Sequence, residues 1–200
     1  MAYNPGIICF RHCCSESIFC KSVPKLCPIC QSCIINCNIE PFLVPYPYTN
    51  ATYHPVAIVV RPSQGSFIND YTAAKDLHIG VTNSKGIVFE FDRQGLIVND
   101  HCRWTDCVAF KIVPSSWENH WDETLERMLK DTKWKSKNYD EVDMNCCNFV
   151  MEFVNNLQYT NIKFASKEDM CNELIMSKIQ DAIKYNYVLK KLEKNDYFKL

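Results

Sequence analysis

The chain has 200 residues, of which 47% are hydrophobic and 22% are charged, with a formal net charge of -1. This length and composition predict one globular domain of ordinary size with room for a small appendage. The balanced charge gives no reason to expect bulk electrostatic attraction to nucleic acid or to anionic membranes. The longest uncharged apolar runs, such as residues 56–60, are far too short to span a bilayer, so we expect no membrane anchor.

Cysteine is abundant, and most of the thirteen cysteines lie within residues 9–37. The first residues lack the basic flank and the long apolar stretch of a secretory signal peptide. We therefore expect an intracellular protein, cytoplasmic or nuclear, whose cysteines remain reduced. In that setting a dense group of cysteines favours metal ligation, together with spare thiols, over disulfide bridges.

One pair of cysteines in this region has the spacing of a zinc knuckle. Residues 27–30 read Cys-Pro-Ile-Cys, and a gap of two residues lets both thiolates bind one tetrahedral ion. The other two ligands must come from the upstream residues Cys9, His12, Cys13 and Cys14. Because neighbouring side chains tend to diverge, Cys9 paired with His12 or with Cys13 is an alternative to His12 with Cys13. The predicted ligands of a structural zinc ion are His12, Cys13, Cys27 and Cys30. A metal-free set of reduced thiols is the alternative.

Three regions follow one another along the chain. We expect a cysteine-rich zinc-knuckle segment over residues 1–40, a proline-rich extended connector over 41–55, and an α+β domain over 56–200. Strands come first in this domain and helices follow, which favours an antiparallel sheet packed against helices. The strand candidates are residues 56–60, 77–81, 87–91 and 107–113.

Two of these strands are predicted to form a hairpin around the turn at residues 83–86, Asn-Ser-Lys-Gly. Alternation along the first strand places His78 on the face opposite its apolar neighbours. If Thr82 pairs with Gly86, His78 lies directly opposite Glu90, and the carboxylate can orient the imidazole. A slip of one residue would remove this pairing, which leaves a solvent-exposed Glu90 as the alternative.

Three helices are predicted after the strands. Residues 115–118, Ser-Ser-Trp-Glu, have the form of a capping box, and the aromatic and apolar residues around and after it recur at helical spacing as a core stripe. A second helix starts near Asn145. A third starts after Ser166 and ends in the mildly basic residues 190–194.

The second predicted helix begins with a candidate nucleophile. Asn145 is suited to the N-cap, so Cys146 occupies the first turn, where backbone N–H groups and the helix dipole lower a thiol pKa below its free value of about 8.5. At about 100° per residue, Cys146 falls near the centre of the apolar face and Cys147 falls toward its edge. Cys146 should therefore face the sheet, either as a reactive thiol or as a buried inert one.

Two short motifs in this order resemble those of the permuted papain-like group: His78-x-Gly80 on a predicted strand, followed by Asn145-Cys146-x-x-Phe149 at the start of a predicted helix. That group includes lecithin-retinol-acyltransferase-like proteins and the PPPDE deubiquitinating and desumoylating peptidases. The resemblance implies a permuted papain-like fold with Cys146 as nucleophile, His78 as general base and Glu90 as the third polar residue. Asn148 stands where these families often have a histidine, so the resemblance does not extend to a substrate class.

A second resemblance extends through most of the chain. Residues 10–13, 22–31, 61–67 and 76–86 resemble the makorin-2 opposite-strand protein family. This resemblance implies kinship with that family, for which no biochemical role is established.

These observations predict a Cys-His thiol hydrolase or acyltransferase that acts on an ester, a thioester or an isopeptide, such as a protein-modifier conjugate. The alternative is a non-catalytic interaction module that keeps the same frame and uses its structural zinc segment to bind a protein partner. A nucleic-acid-binding ribbon ranks last, because the cysteine-rich segment is not dense in lysine and arginine.

Overall fold

The computed structural model describes residues 6–69, 75–98, 101–160 and 162–200. Within these ranges the chain forms two compact units, the first built from residues 6–47 and 181–200 and the second from residues 48–180. The strands are β1 Ile8–Arg11, β2 Ile18–Cys20, β3 Ile39–Leu43, β4 Ala57–Pro62, β5 Leu77–Thr82, β6 Val88–Asp92, β7 Gly95–Val98, β8 Val108–Phe110 and β9 Tyr197–Lys199. The α-helices are α1 Glu118–Leu129, α2 Cys146–Leu157, α3 Lys167–Met170 and α4 Met176–Leu192.

The first unit contains a four-stranded antiparallel sheet in the order β3-β1-β2-β9. Its small core consists of the buried residues Phe10, Ile18, Cys20 and Cys27. Position 41, the first proline of the predicted connector, lies inside β3, which can accept a proline because it is an edge strand. The sequence did not predict β9, since its three residues are too few to show an alternating pattern.

The second unit contains a five-stranded antiparallel sheet in the order β7-β6-β5-β4-β8. Helix α2 packs against β5 and β6, and α1 packs against α2, so the residues of the central strands are almost all buried. The prediction of an α+β fold with antiparallel sheets packed against helices is confirmed. None of the described helices is long and apolar enough to cross a lipid bilayer.

The start of α1 differs from the capping box predicted at residues 115–118. A turn of 3₁₀-helix occupies Ser115–Trp117, and α1 begins one residue later, at Glu118. The tighter turn takes over part of the capping role, because the N–H of Trp117 donates to the carbonyl of Pro114. The predicted core stripe is confirmed at its later positions, which are buried: Trp121, Leu125 and Met128.

The third predicted helix begins at Ser166 as expected, since its hydroxyl accepts the N–H of Asp169. A wider π-helical turn at Cys171–Ile175 then separates α3 from α4, which ends at Leu192. Sequence periodicity does not distinguish such a turn from an ordinary helical one, so it was not predicted.

Candidate active site

The candidate general base, His78 on β5, is buried between its two predicted partners. Its Nε2 atom is 2.6 Å from Oε2 of Glu90 on the neighbouring strand β6. The Cys146 sulfur, at the start of α2, lies close enough to the same imidazole to raise its pKa. Because α2 packs against β5, the structure brings the three predicted site residues together.

The hairpin that joins β5 to β6 has a different register from the predicted one. Thr82 pairs with Val88 rather than with Gly86. The reason is a longer turn, in which the side-chain oxygen of Asn83 accepts two backbone N–H groups, the second of them from Ile87. The strands are shifted by two positions rather than by one, so their side chains keep the predicted faces.

Glu90 consequently lies opposite Gly80 and diagonal to His78 on one face of the sheet. Gly80 leaves room beside the carboxylate. A Cβ atom at this position would lie 2.9 Å from the carbonyl oxygen of Phe89 and 3.2 Å from Cζ2 of Trp104. The indole of Trp104 fills this space, and its Nε1–H donates a hydrogen bond of 3.1 Å to Oε1 of Glu90.

Each carboxylate oxygen of Glu90 lies near nitrogen atoms of two other side chains. Oε1 accepts from Trp104 and, over 3.3 Å, from Nη1 of Arg103. Oε2 lies close to His78 and 3.4 Å from Nη2 of Arg61. Burial alone would raise the pKa of Glu90, but the hydrogen bond with His78 and the other donors hold its pKa below the usual value. Glu90 therefore stays ionised although it is only 1% exposed.

Helix α2 begins as the sequence predicted. Asn145 is the N-cap, and its side chain accepts the N–H of Cys147. The side chain of Asn148 accepts the N–H of Asn145 in return, which completes a reciprocal capping box. The predicted apolar face is confirmed, because the buried residues of α2 are Cys146, Phe149, Val150, Phe153, Val154 and Leu157.

Cys146 and His78 shift each other's protonation. The pKa of the Cys146 thiol falls to about 4, owing first to a hydrogen bond from Cys147 and then, against the effect of burial, to His78 and the backbone of Ile79. Burial would lower the pKa of His78, but its contacts with Cys146 and Glu90 raise that pKa to about 9. Between about pH 4 and about pH 9, Cys146 is therefore a thiolate and His78 is an imidazolium. This ion pair is the activated form of a cysteine nucleophile.

Two further thiols lie beside Cys146. Cys147 contacts both Cys146 and Cys171, and these hydrogen bonds raise the pKa of Cys147 above that of an ordinary thiol. Cys171 lies in the π-helical turn, and its pKa is lowered, first by the hydrogen bond with Cys147. Cys147 is therefore a neutral thiol that donates to its neighbours.

A cavity of about 660 Å³ gives access to the pair, and both Cys146 and His78 line it. Its walls include Gln64 from the turn after β4 and Arg93 from the turn after β6, together with other charged side chains. This volume is typical of sites that bind small ligands or short chain segments. A substrate carbonyl placed here can reach the sulfur, which belongs to a residue that is 6% exposed.

The four predicted metal ligands also converge, within the first unit. One potential ligand atom from each of them lies within 4.8 Å of the others. The Cys13 and Cys27 sulfurs are 3.8 Å apart, and Nδ1 of His12 is 3.4 Å from the Cys30 sulfur. His12 and Cys13 can both point inward, although they are neighbours, because they follow β1 in a bend and not on a strand. The Cys/His cluster could hold a metal ion.

Comparison with known proteins identifies the family. The family model described as DUF4796 C-terminal matches residues 41–192, and the one described as DUF4796 N-terminal matches residues 5–34. The chain belongs to the DUF4796 family. This DUF4796 chain is similar to the MKRN2 opposite strand protein of Homo sapiens, with 29% identity over 155 residues that cover 75% of this chain and 69% of that protein. The predicted kinship is confirmed. No solved structure matches the chain.

Sequence reasoning missed three side chains that surround Glu90 in the DUF4796 chain. Arg61 is the cross-strand partner of His78, so the pairing of β4 with β5 would have revealed it. Arg103 and Trp104 come from a short 3₁₀ turn at His101–Trp104, which has no periodic pattern in the sequence. Only the fold could place these two residues beside the site.

Proposed function

We propose that this DUF4796 protein is a Cys-His thiol hydrolase or acyltransferase that acts on an ester, a thioester or an isopeptide. The observation that supports this proposal is the position of His78, buried between the Cys146 sulfur and the ionised carboxylate of Glu90. An inert core thiol packs among apolar atoms and needs no such partners. Strongly shifted pKa values at the wall of a cavity are typical of catalytic groups.

In the proposed reaction the Cys146 thiolate attacks the substrate carbonyl carbon and forms a carbon–sulfur bond. The electron pair of the C=O bond moves to the oxygen, which the backbone N–H of Cys146 at the positive end of α2 stabilises. The leaving group departs with the proton of His78. Glu90, 2.6 Å from Nε2 of His78, holds the imidazole in place for this transfer. Water or another acceptor, deprotonated by His78, then releases the acyl group from the sulfur.

The arrangement also supports a permuted papain-like assignment for the second unit. His78 lies on a strand that precedes the nucleophile in the chain, and the helix that begins with Cys146 packs against that strand. The charged side chains of the cavity, such as Arg93 and Glu141, favour a peptide-like protein-modifier conjugate over a lipid acyl chain.

Labelling with a cysteine-directed electrophile tests the proposal. Iodoacetamide should modify Cys146 at pH 6, where ordinary thiols are almost entirely protonated. Peptide mass spectrometry with fragmentation quantifies each cysteine separately. Labelling should vanish in Cys146→Ala and weaken in His78→Ala, whereas Cys33→Ser, at an exposed thiol outside both candidate sites, should leave it unchanged. Fluorogenic ester, thioester and isopeptide substrates would then identify the reaction.

The absence of selective labelling would instead favour a non-catalytic interaction module. In that case the second unit would keep its frame without the chemistry, and a protein partner would be the ligand to seek.

We also propose that the Cys/His cluster of the first unit holds a structural zinc ion. Tetrahedral zinc with bonds of about 2.3 Å to sulfur places two sulfur ligands about 3.8 Å apart. That separation agrees with the 3.8 Å between the Cys13 and Cys27 sulfurs. With His12 and Cys30 the four protein ligands would complete the coordination shell, which favours a structural role over a catalytic one.

Metal analysis of the purified protein tests this second proposal. About one zinc per chain is expected. The zinc should be lost in the double variant Cys27→Ser and Cys30→Ser, and it should be retained in Cys146→Ala. A folded wild-type protein without metal would contradict the assignment.

A further inference from the structure

We infer that Trp104 is a positioning residue of the proposed catalytic site: its indole N–H fixes the Glu90 carboxylate in the orientation that aligns His78 with Cys146. This inference rests on the proposed function and adds to it a residue that makes no contact with the substrate carbonyl. It explains why a tryptophan and a glycine lie next to a buried carboxylate.

The indole of Trp104 contacts the site on several sides. Trp104 is fully buried, and its N–H donates to the Glu90 carboxylate. Its ring lies 5.9 Å from the His78 ring, centroid to centroid, and the Arg61 guanidinium lies over it at 5.0 Å. Trp121, which is equally buried, donates instead to a backbone carbonyl. A buried indole N–H usually finds an acceptor. Among the described tryptophans, Trp104 is the one whose N–H donates to the carboxylate beside the proposed base.

The contact between Trp104 and Glu90 requires a glycine at position 80. It lies between His78 on its own strand and Glu90 on the next one. A side chain at this position would meet both the Phe89 carbonyl and the Trp104 ring. The glycine thus admits the indole to the face of the sheet on which the base and its carboxylate lie.

Without the indole N–H, Oε1 of Glu90 would keep Arg103 as its described donor. Arg103 also binds Asp92 at 3.0 and 3.1 Å, and its side chain is 33% exposed. With Oε1 held only by Arg103, and Oε2 still 3.4 Å from Nη2 of Arg61, the carboxylate could turn toward Arg103 and away from Nε2 of His78. The imidazolium would then lose the partner that favours its charge, and Cys146 would be less ionised.

The pH dependence of Cys146 alkylation in the full-length protein tests this role. In Trp104→Phe the rise of the iodoacetamide rate with pH should move about one unit to higher pH, as expected for losing one hydrogen bond to a charged group. Because the pKa of Cys146 is about 4 in the wild type, the rate at pH 5 should then fall about twofold. The rate above pH 9 should stay the same. Trp134→Phe is the matched control, because Trp134 is buried and its indole N–H has no acceptor among the described residues.

The outcomes separate this inference from the proposed function. A Trp104→Phe profile that coincides with the wild type overturns the positioning role and leaves the thiol enzyme intact. A loss of rate at every pH, plateau included, indicates a purely structural tryptophan and also overturns it. A wild-type profile typical of an ordinary thiol overturns both proposals.

A second measurement leaves Trp104 in place, in case Trp104→Phe does not fold. The indole ¹H–¹⁵N resonances are compared between the wild type and Glu90→Gln. The Trp104 proton should move upfield, because a neutral amide is a weaker acceptor than a carboxylate, while the Trp134 proton stays in place. An unmoved Trp104 resonance overturns the inference.

Discussion

The two candidate sites use the same residue types, cysteine and histidine, in different surroundings. In the second unit a single buried thiol faces His78, and Glu90 holds the other side of the imidazole. In the first unit three sulfurs and one imidazole converge within 4.8 Å, and two of the cysteines are exposed. A carboxylate behind the histidine favours proton transfer from the thiol, whereas several converging thiols favour a shared cation. The neighbours of the histidine therefore distinguish the chemistry proposed for the two candidate sites.

Removal of zinc should have the largest effect, and only on the first site. Structural zinc contributes on the order of 10 kcal/mol to the folding of small metal-dependent segments. A strong chelator should therefore lower the melting temperature and expose residues 12–30 to proteolysis. Labelling of Cys146 at pH 6 should persist in the chelated protein below its melting temperature. A melting curve that does not respond to chelation would argue against a bound ion.

Replacing each histidine with alanine should affect only its own candidate site. His78→Ala removes the base, so turnover should fall about 10²- to 10⁴-fold while the zinc content stays the same. His12→Ala removes a metal ligand, so zinc should be lost while Cys146 still labels. Both quantities are measured on the same preparations. Loss of both properties in either variant would show that the sites are not independent.

Glu90→Gln should lower the pKa of His78. In the wild type, burial opposes the charge of His78, but Cys146 and Glu90 raise the pKa to about 9 from an ordinary 6.5. Loss of the negative charge removes one of these two contacts, so His78 should titrate at lower pH, as measured by NMR of its ring proton. His54 is the internal control, because burial and Lys111, not Glu90, lower its pKa.

The raised pKa of His78 also determines how this residue makes the folding stability depend on pH. A folded-state pKa above the ordinary value means that protonated His78 stabilises the fold below about pH 6.5, and that this contribution is lost as the pH rises to about 9. In Glu90→Gln, protonated His78 should therefore stabilise the fold less below about pH 6.5. An unchanged His78 titration would mean that Glu90 does not orient the imidazole.

Asn145→Ala should have the smallest effect. It removes the side chain that accepts the N–H of Cys147, at a cost of about 1 kcal/mol to the folding free energy. Denaturant unfolding measures this loss, and Asn156→Ala, at an exposed position later in the same helix, is a comparison that does not touch the cap. Because the freed N–H remains near the sulfur, Cys146 labelling should change little. A large loss of labelling would assign Asn145 a direct part in the site.

Local patterns in the sequence predicted much of the fold and both candidate sites. The cap at Asn145, the buried face of α2 and the convergence of the four Cys/His ligands all follow from spacing over a few residues. The faces on which the candidate residues His78, Glu90 and Cys146 lie could be predicted, because strand alternation and helix phase each assign a face without knowledge of the whole fold.

The missing parts depend on contacts between distant segments. The β5–β6 register could not be fixed, because the Asn83 side chain, and not the strand pattern, sets the length of the turn. Trp104 and Arg103 reach Glu90 from a short turn without periodicity. The three-residue strand β9 gains its structure only by pairing with β2, more than 170 residues earlier.

The pairing of β9 with β2 has a consequence for synthesis on the ribosome. Residues 48–180 are contiguous, so the unit with the thiol site can fold as soon as that stretch emerges. The other unit waits for residues 197–199 to close its sheet, and until then the edge of β2 is open to pairing with other chains. Nascent chains halted before β9 should therefore show a formed thiol site beside an unfinished amino-terminal sheet.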